Sequence, residues 1–354
     1  MNKPLSERLK SARLMNGFSL QDLSNALDNK VSRQALHRYE KGEVIPDSKM
    51  INLLSNAMKV QPEYFFRNTR VEIGQIEYRK LKKLPAKEEE KIIEQTREYL
   101  SRYLELEEII GVYCDFVNPL HEFKSINKYE QVNEAANQLR EFWRLGSDPI
   151  FNVAELLEDK HIKIVKVNAD ITFDGLQTWV NGNIPVIAYN VCNVQKTDRI
   201  RFTLLHELAH LLLGGCFDNN LTVHQKERLC HQFAGAMLIP EKTLKEELGE
   251  FRTRLSIPEL GNIKKQYGIS MQAIVMRAKV CGIINDNFAK HFFFMMKQMN
   301  WKIDEPIQYE GIEESNRFDQ LLFRALAEEQ ISISKAAALK NKKLAEFRDE
   351  TLLV

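Results

Sequence analysis

The segment Arg201-Phe202-Thr203-Leu204-Leu205-His206-Glu207-Leu208-Ala209-His210-Leu211-Leu212-Leu213-Gly214 sets two histidines four residues apart, with a carboxylate beside the first. On a helix, positions i and i+4 share a face, so His206 and His210 can aim two imidazole nitrogens at one metal ion. Glu207 follows about 100° further around the helix. From there it can hold and deprotonate a water on that metal. Leu204, Leu205, Leu208, Leu211 and Leu212 supply a broad apolar surface, and Gly214 is a stop signal. Two imidazoles and a carboxylate are costly to bury in so apolar a helix, and a metal ion offsets that cost. The five-residue pattern also arises by chance, so the surrounding elements must decide.

A catalytic zinc takes three protein ligands and keeps a fourth position open. The downstream candidates for the third are Asp218, His224, Glu227, Cys230 and His231. Residues 223–237 have a helical pattern, with Leu229, Phe233, Ala236 and Met237 to pack and Leu238-Ile239-Pro240 to close it. Glu227 and His231 are four apart on one face of that helix, which suggests one ligand and one residue that orients a ligand. His224 suits a loop or surface position. His121, His161 and His291 stand outside any motif.

The elements ahead of the motif must build its floor. Residues 129–145 read as a helix with Val132, Ala135, Ala136, Leu139 and Phe142 inward, and 150–159 as a short helix. The runs 162–167, 175–180 and 184–189 are strands by their β-branched and aromatic content. The last two meet across Asn181-Gly182-Asn183, a strong hairpin signal. Helix, three strands, then the motif helix is the order expected of a compact zincin. In that arrangement an edge strand lies beside the metal and can hold an extended peptide.

His206-Glu207-Leu208-Ala209-His210-Leu211, followed by Glu227, Phe233-Ala234, Leu238 and Pro240, resembles the ImmA/IrrE family of metallopeptidases. The resemblance covers about 150–240. It extends into 260–284 through Lys264-Lys265-x-Tyr267-Gly268-Ile269-Ser270-x-Gln272-Ala273-Ile274. It implies Zn²⁺ held by His206, His210 and Glu227, with Glu207 as the catalytic base. His231 takes the polar place four residues after Glu227, where the family more often has Asn or Asp. The implied substrate is a protein, such as a repressor or antitoxin-like partner, cut at one site in a stress or mobile-element response.

The first seventy residues carry a different pattern. They hold twelve Lys/Arg against seven Asp/Glu, a net of +5, which leaves −4 on the rest of a chain whose total is +1. Five short helices are expected: 5–16, 20–27 capped by Ser19 with Asp22 at its third position, 33–41 capped by Ser32, one begun by Pro46-Asp47-Ser48, and a short one at 62–66. The run Ser19-Leu20-x-x-Leu23-x-x-Ala26-Leu27, Val31-Ser32-Arg33-Gln34-Ala35-Leu36-x-x-Tyr39-Glu40-x-Gly42 and Pro46 resembles the XRE (Cro/C1-type) helix-turn-helix domain. By that resemblance the third helix reads double-stranded DNA, with Ser32, Arg33, Gln34, His37 and Arg38 facing it. One such module reads one half-site, so a homodimer is expected. The alternative is a DNA-binding repressor or antitoxin whose metal site is structural or sensory.

The remaining stretches are less specific. Residues 86–111 form one long Glu/Lys-rich helix with Ile92, Ile93, Tyr99, Leu100, Tyr103, Leu104 and Leu106 at mixed three- and four-residue steps, an amphipathic spacer. A basic cluster, Arg79, Lys80, Lys82 and Lys83, precedes it. Residues 291–311 read as a strand or irregular connection, and 313–328 and 333–350 as two helices, a dimerisation or docking pair. The expected fold is multidomain and mainly α, with a small α+β zincin-like domain. It comprises a five-helix helix-turn-helix domain over 1–68, a helical linker over 69–128, a metallopeptidase domain with a three-stranded sheet over 129–290, and a helical C-terminal region over 291–354.

Composition bounds the rest. At 354 residues, 44% hydrophobic and 28% charged, the chain is ordinary for two or three globular domains. The five cysteines, Cys114, Cys192, Cys216, Cys230 and Cys281, are scattered and form no C-x-x-C pair. That argues against a disulfide framework and fits a reducing compartment. No run reaches the roughly 18 apolar residues needed to span a bilayer, and the N-terminus is polar, so no membrane association and a cytoplasmic location are expected.

Overall fold

The computed structural model describes residues 3–67, 71–74, 84–112, 116–192 and 196–351. The basic cluster at 79–83 and Cys114 lie outside them. The architecture is mainly helical around one small mixed sheet.

The N-terminal module comprises α1 (Lys3–Met15), α2 (Leu20–Ala26), α3 (Arg33–Glu40) and α4 (Ser48–Ala57). Ser19 and Asp22 form a reciprocal capping box on α2, and Ser32 and Asp47 cap α3 and α4 with their side chains. The expected fifth helix is a single 3₁₀ turn, Pro62–Phe66. Leu5, Leu9, Ala12, Leu23, Leu36, Leu54, Tyr64 and Phe65 close a core of their own.

Helix α5 (Ala86–Ile110) follows, then α6 (Tyr129–Phe142) and α7 (Val153–Asp159). Strands β1 (Lys163–Val167), β2 (Gly175–Val180) and β3 (Ile184–Asn190) have the order β1-β3-β2. β3 runs parallel to β1 and antiparallel to β2, with the hairpin turned at Asn181 and Gly182, both at positive φ. Alternation decides the two faces of the sheet. Ile164, Ile187 and Tyr189 pack into the core around the motif helix, whereas Val165, Val167, Val186 and Ala188 pack with Ile92 and Leu100 of α5. β2 lies at one edge of the sheet, and Glu72–Gly74 pairs with its Val180 end.

The motif lies on α8 (Thr197–Leu213), and its companion segment on α9 (Val223–Leu238). Then come α10 (Glu241–Leu248), α11 (Ile257–Tyr267), α12 (Met271–Val280), α13 (Asp286–Gln298), α14 (Arg317–Ala327), α15 (Ile333–Lys340) and α16 (Leu344–Glu350). Three expectations change here. Phe142 is exposed because α6 ends there, and Trp143 occupies the core position instead. Residues 291–298 are helical, not strand: Asn285 caps α13, which buries Ala289, Phe292 and Met296 along one face. The tail forms three helices, because Asn341 adopts the left-handed conformation and ends α15. No described helix is long and apolar enough to cross a membrane.

Candidate metal centre

Helix α8 is buried along nearly its whole length, which requires its polar residues to find partners. At its start, Arg201 is fully buried. Its guanidinium donates to the carbonyls of Ile150 (2.6 Å) and Phe151 (3.2 Å) and to Glu313 Oε2 (2.8 Å). Asp198 is ion-paired with Lys264 at 2.8 Å, and Lys264 also pairs with Glu305 at 2.8 Å. Glu313 and Glu305 come from the stretch after α13. They also accept the backbone N–H groups of Ala154 and Met271, at the starts of α7 and α12. The orientation of α8 is thereby fixed from outside the motif. The sequence reading passed over these residues. The signal was there in Arg201, a cation within an otherwise apolar register, but its partners lie in a segment without periodicity.

One turn further on, His206 and His210 project from the same face of α8, as their spacing required, and Glu227 approaches from the first turns of α9. His206 Nε2 lies 3.1 Å from Glu227 Oε2, His210 Nε2 lies 3.2 Å from Glu227 Oε1, and the two Nε2 atoms are 3.3 Å apart. Among the described residues these three form the group able to hold a metal ion. The two imidazole nitrogens and the carboxylate are close enough for one ion to lie within about 2.0–2.2 Å of a donor atom from each, the usual zinc–ligand distances. Two imidazoles and a carboxylate are also the donor types zinc favours, so the residues present fit the ion.

The other candidates for the third position stay outside the group. Asp218 accepts hydrogen bonds from the Asn220 backbone and the Asn127 side chain, which hold its carboxyl below the ordinary carboxylate range. His224 is exposed, and Cys230 is buried in the core. His231 is placed beside the cluster instead. Its ring lies 4.4 Å from that of His206, tilted by 31°, and also stacks with that of Phe202 at 5.9 Å and 23°.

Glu207 is 2% exposed. With His206, Glu227, His231, Thr203 and Gly175 it lines a cleft of about 550 Å³. Gly175 opens β2 against the motif helix. A Cβ there would lie 2.9 Å from Thr203 Cγ2 and 3.3 Å from Glu207 Cγ. The strand reaches this helix only because it starts with glycine.

In the N-terminal module, Ser32, Arg33, Gln34, His37 and Arg38 are all exposed on α3 or at its cap, and Arg38 is 3.5 Å from Glu43. The buried side of α3 is Leu36. These five residues lie far along the chain from the cleft, and none of them is among its lining residues.

Comparison with known families agrees with this division. The peptidase M78 model, described as an IrrE N-terminal-like domain, matches residues 158–279, which takes in the whole sheet, α8 and α9. A helix-turn-helix model matches residues 9–65. No curated protein matches the chain. The chain is a fusion of an XRE-type DNA-binding helix-turn-helix module with a metallopeptidase-type domain of the IrrE N-terminal-like family.

Proposed function

We propose that this protein is a zinc-dependent endopeptidase tethered to a DNA-binding module, and that it cuts a regulatory protein. The observation that carries this reading is the convergence of His206 Nε2, His210 Nε2 and the Glu227 carboxylate, with contacts of 3.1–3.3 Å, beside a buried Glu207. His206, His210 and Glu227 would hold the ion. Zinc held there would supply Lewis acidity, acidifying a water and polarising a carbonyl.

The chain's own residues do the rest. Glu207 takes a proton from the attacking water at its carboxylate and passes it to the nitrogen of the leaving amine. Its burial keeps that carboxylate from bulk water, so the proton stays with the reaction. His231, with its ring 4.4 Å from that of His206, restricts how that imidazole can turn and so orients it. The Gly175 end of β2 offers backbone groups along which a substrate strand can lie extended. Arg201 and the Lys264–Asp198–Glu305 cluster hold α8 in place while the cleft is loaded.

The fused module supports a substrate found at DNA, a repressor or antitoxin-like protein, cleaved in a stress or mobile-element response. Through Ser32, Arg33, Gln34, His37 and Arg38 it would bring the peptidase to an operator, and two half-sites would call for a homodimer. The test is cleavage of candidate repressors, with and without chelator, by wild type and Glu207→Gln. Cleavage is expected to vanish with chelator and to fall by at least about 10²-fold in the variant. A Glu207→Gln protein that cuts as fast as wild type sinks the mechanism.

A further inference from the structure

A second cavity, of about 410 Å³, adjoins the metal cleft, and Arg199, Phe202 and His231 line both. Its walls come from α8, α9, α11, α12 and the segment after α13. Two large apolar side chains in it are open to solvent, Met276 at 39% and Ile303 at 72% exposure. Phe202 and Ala273 add to the apolar wall, and Gly235 of α9 contributes no side chain. Solvent contact at so many apolar atoms beside a reactive centre is costly unless a ligand covers them.

The charges around this cavity divide into two sets. Lys264 is matched by Asp198 and Glu305. The Arg277 guanidinium donates to the Ile239 carbonyl, Tyr129 and Asn133, and Lys196 is paired with Asp304. Arg228 and Lys302 are exposed, and among the described residues neither has an ion pair. The interior is therefore apolar, and two unmatched cations stand around it.

We propose that this cavity selects the substrate. It receives a large apolar side chain, of the size of Leu, Met or Phe, from a residue flanking the scissile bond. Arg228 and Lys302 hold a carboxylate adjacent to that residue. The assignment rests on the peptidase reading above and adds the substrate's side-chain class to it. It also gives the stretch after α13 a task. Lys302, Ile303 and Gln308 form one wall of the cavity, and the buried Glu305 pins that wall to the backbone N–H groups of Met271 (2.9 Å) and Gln272 (3.2 Å).

The test is direct binding to the full-length Glu207→Gln protein, read by anisotropy. The probes are three fluorescein-labelled decapeptides, identical except for a central Glu-Phe-Glu, Glu-Ala-Glu or Lys-Phe-Lys. The first is expected to bind at least ~10-fold more tightly than either of the others. Adding Ala273→Trp, which fills the cavity, should erase the preference for Phe over Ala. Adding Arg228→Glu with Lys302→Glu, which alters exposed side chains alone, should reverse the preference between the Glu and Lys peptides. Equal binding of the three peptides, or preferences unchanged by both sets of substitutions, overturns the proposal. Zinc content measured on the same samples separates the two readings. Zinc-loaded protein that binds the peptides alike contradicts the cavity assignment alone, whereas a Phe preference in protein that takes up no zinc contradicts the peptidase reading alone.

Discussion

At the residue scale, the site depends on charged groups placed where charge is expensive. The convergence of His206, His210 and Glu227 was legible because ligand chemistry restricts both residue type and helical spacing. The pairing of Arg201 with Glu313 was not, because the two halves of a buried ion pair lie in unrelated stretches with no spacing to connect them. Glu158 is a third buried charge, and it has a pH signature. It accepts from the Ile164 N–H (2.8 Å) and the Tyr103 hydroxyl (2.7 Å), beneath the β1 end of the sheet. Burial pushes its carboxyl up from 4.5 to about 7, against the opposing pull of Lys163 and these hydrogen bonds. A carboxyl with a folded pKa above its unfolded value stabilises the fold when protonated. That contribution is complete below about 4.5 and is lost as pH rises through about 7. The shift corresponds to about 3 kcal/mol. Denaturant unfolding measured across this window should show stability falling with pH in wild type and a flatter profile in Glu158→Gln. Equal slopes in the two proteins contradict the assignment.

At the scale of elements, three strands and both site helices followed from composition and capping, since β-branched runs and Ser, Thr or Asp caps act locally. The errors fell where tertiary context decides. Nothing in residues 291–298 distinguishes a buried strand from a helix until Asn285 is seen to cap it. The left-handed turn at Asn341 likewise splits a stretch with continuous helical propensity. Gly175 shows the same dependence in a functional position, since its requirement comes from Thr203 and Glu207 on another element. Gly175→Ala should cost about 1–3 kcal/mol through overpacking. By displacing Glu207 it should slow cleavage by up to about 10²-fold. Thr203→Ser removes the nearest methyl group and should restore part of both losses. Thermal unfolding and cleavage rates would check this, and a Gly175→Ala protein with wild-type values in both would contradict it.

At the scale of the whole molecule, α5 joins the parts. The sequence suggested an amphipathic spacer, and its mixed three- and four-residue steps have a physical cause. Ile92 and Leu100 pack on the sheet, Tyr103 and Leu106 pack on α14 and α15, and a third side faces the N-terminal module. Glu98 on that side is 7% exposed. It pairs with Arg8 at 2.8 Å and with Arg67 and Arg102 at 3.4 Å, while Arg67 and Lys335 both reach Glu105. Arg8 also stacks over the Tyr64 ring at 3.6 Å. The DNA-binding module is thus docked through a charged seam that continues to the C-terminal helices. Glu98→Ala leaves three guanidinium groups without their shared carboxylate and should cost about 3–5 kcal/mol. Calorimetry should show the N-terminal module melting at lower temperature, and an unchanged melting profile would contradict the docking.

The peptidase reading depends on a zinc ion bound by His206, His210 and Glu227. The most direct measurement is zinc content, by elemental analysis, of the purified full-length protein and its variants. The account predicts about one zinc per chain in wild type and in Glu207→Gln, and a large loss in His206→Ala, His210→Ala and Glu227→Ala. A wild-type protein that takes up no zinc, or a Glu227→Ala protein that keeps the wild-type amount, would contradict it.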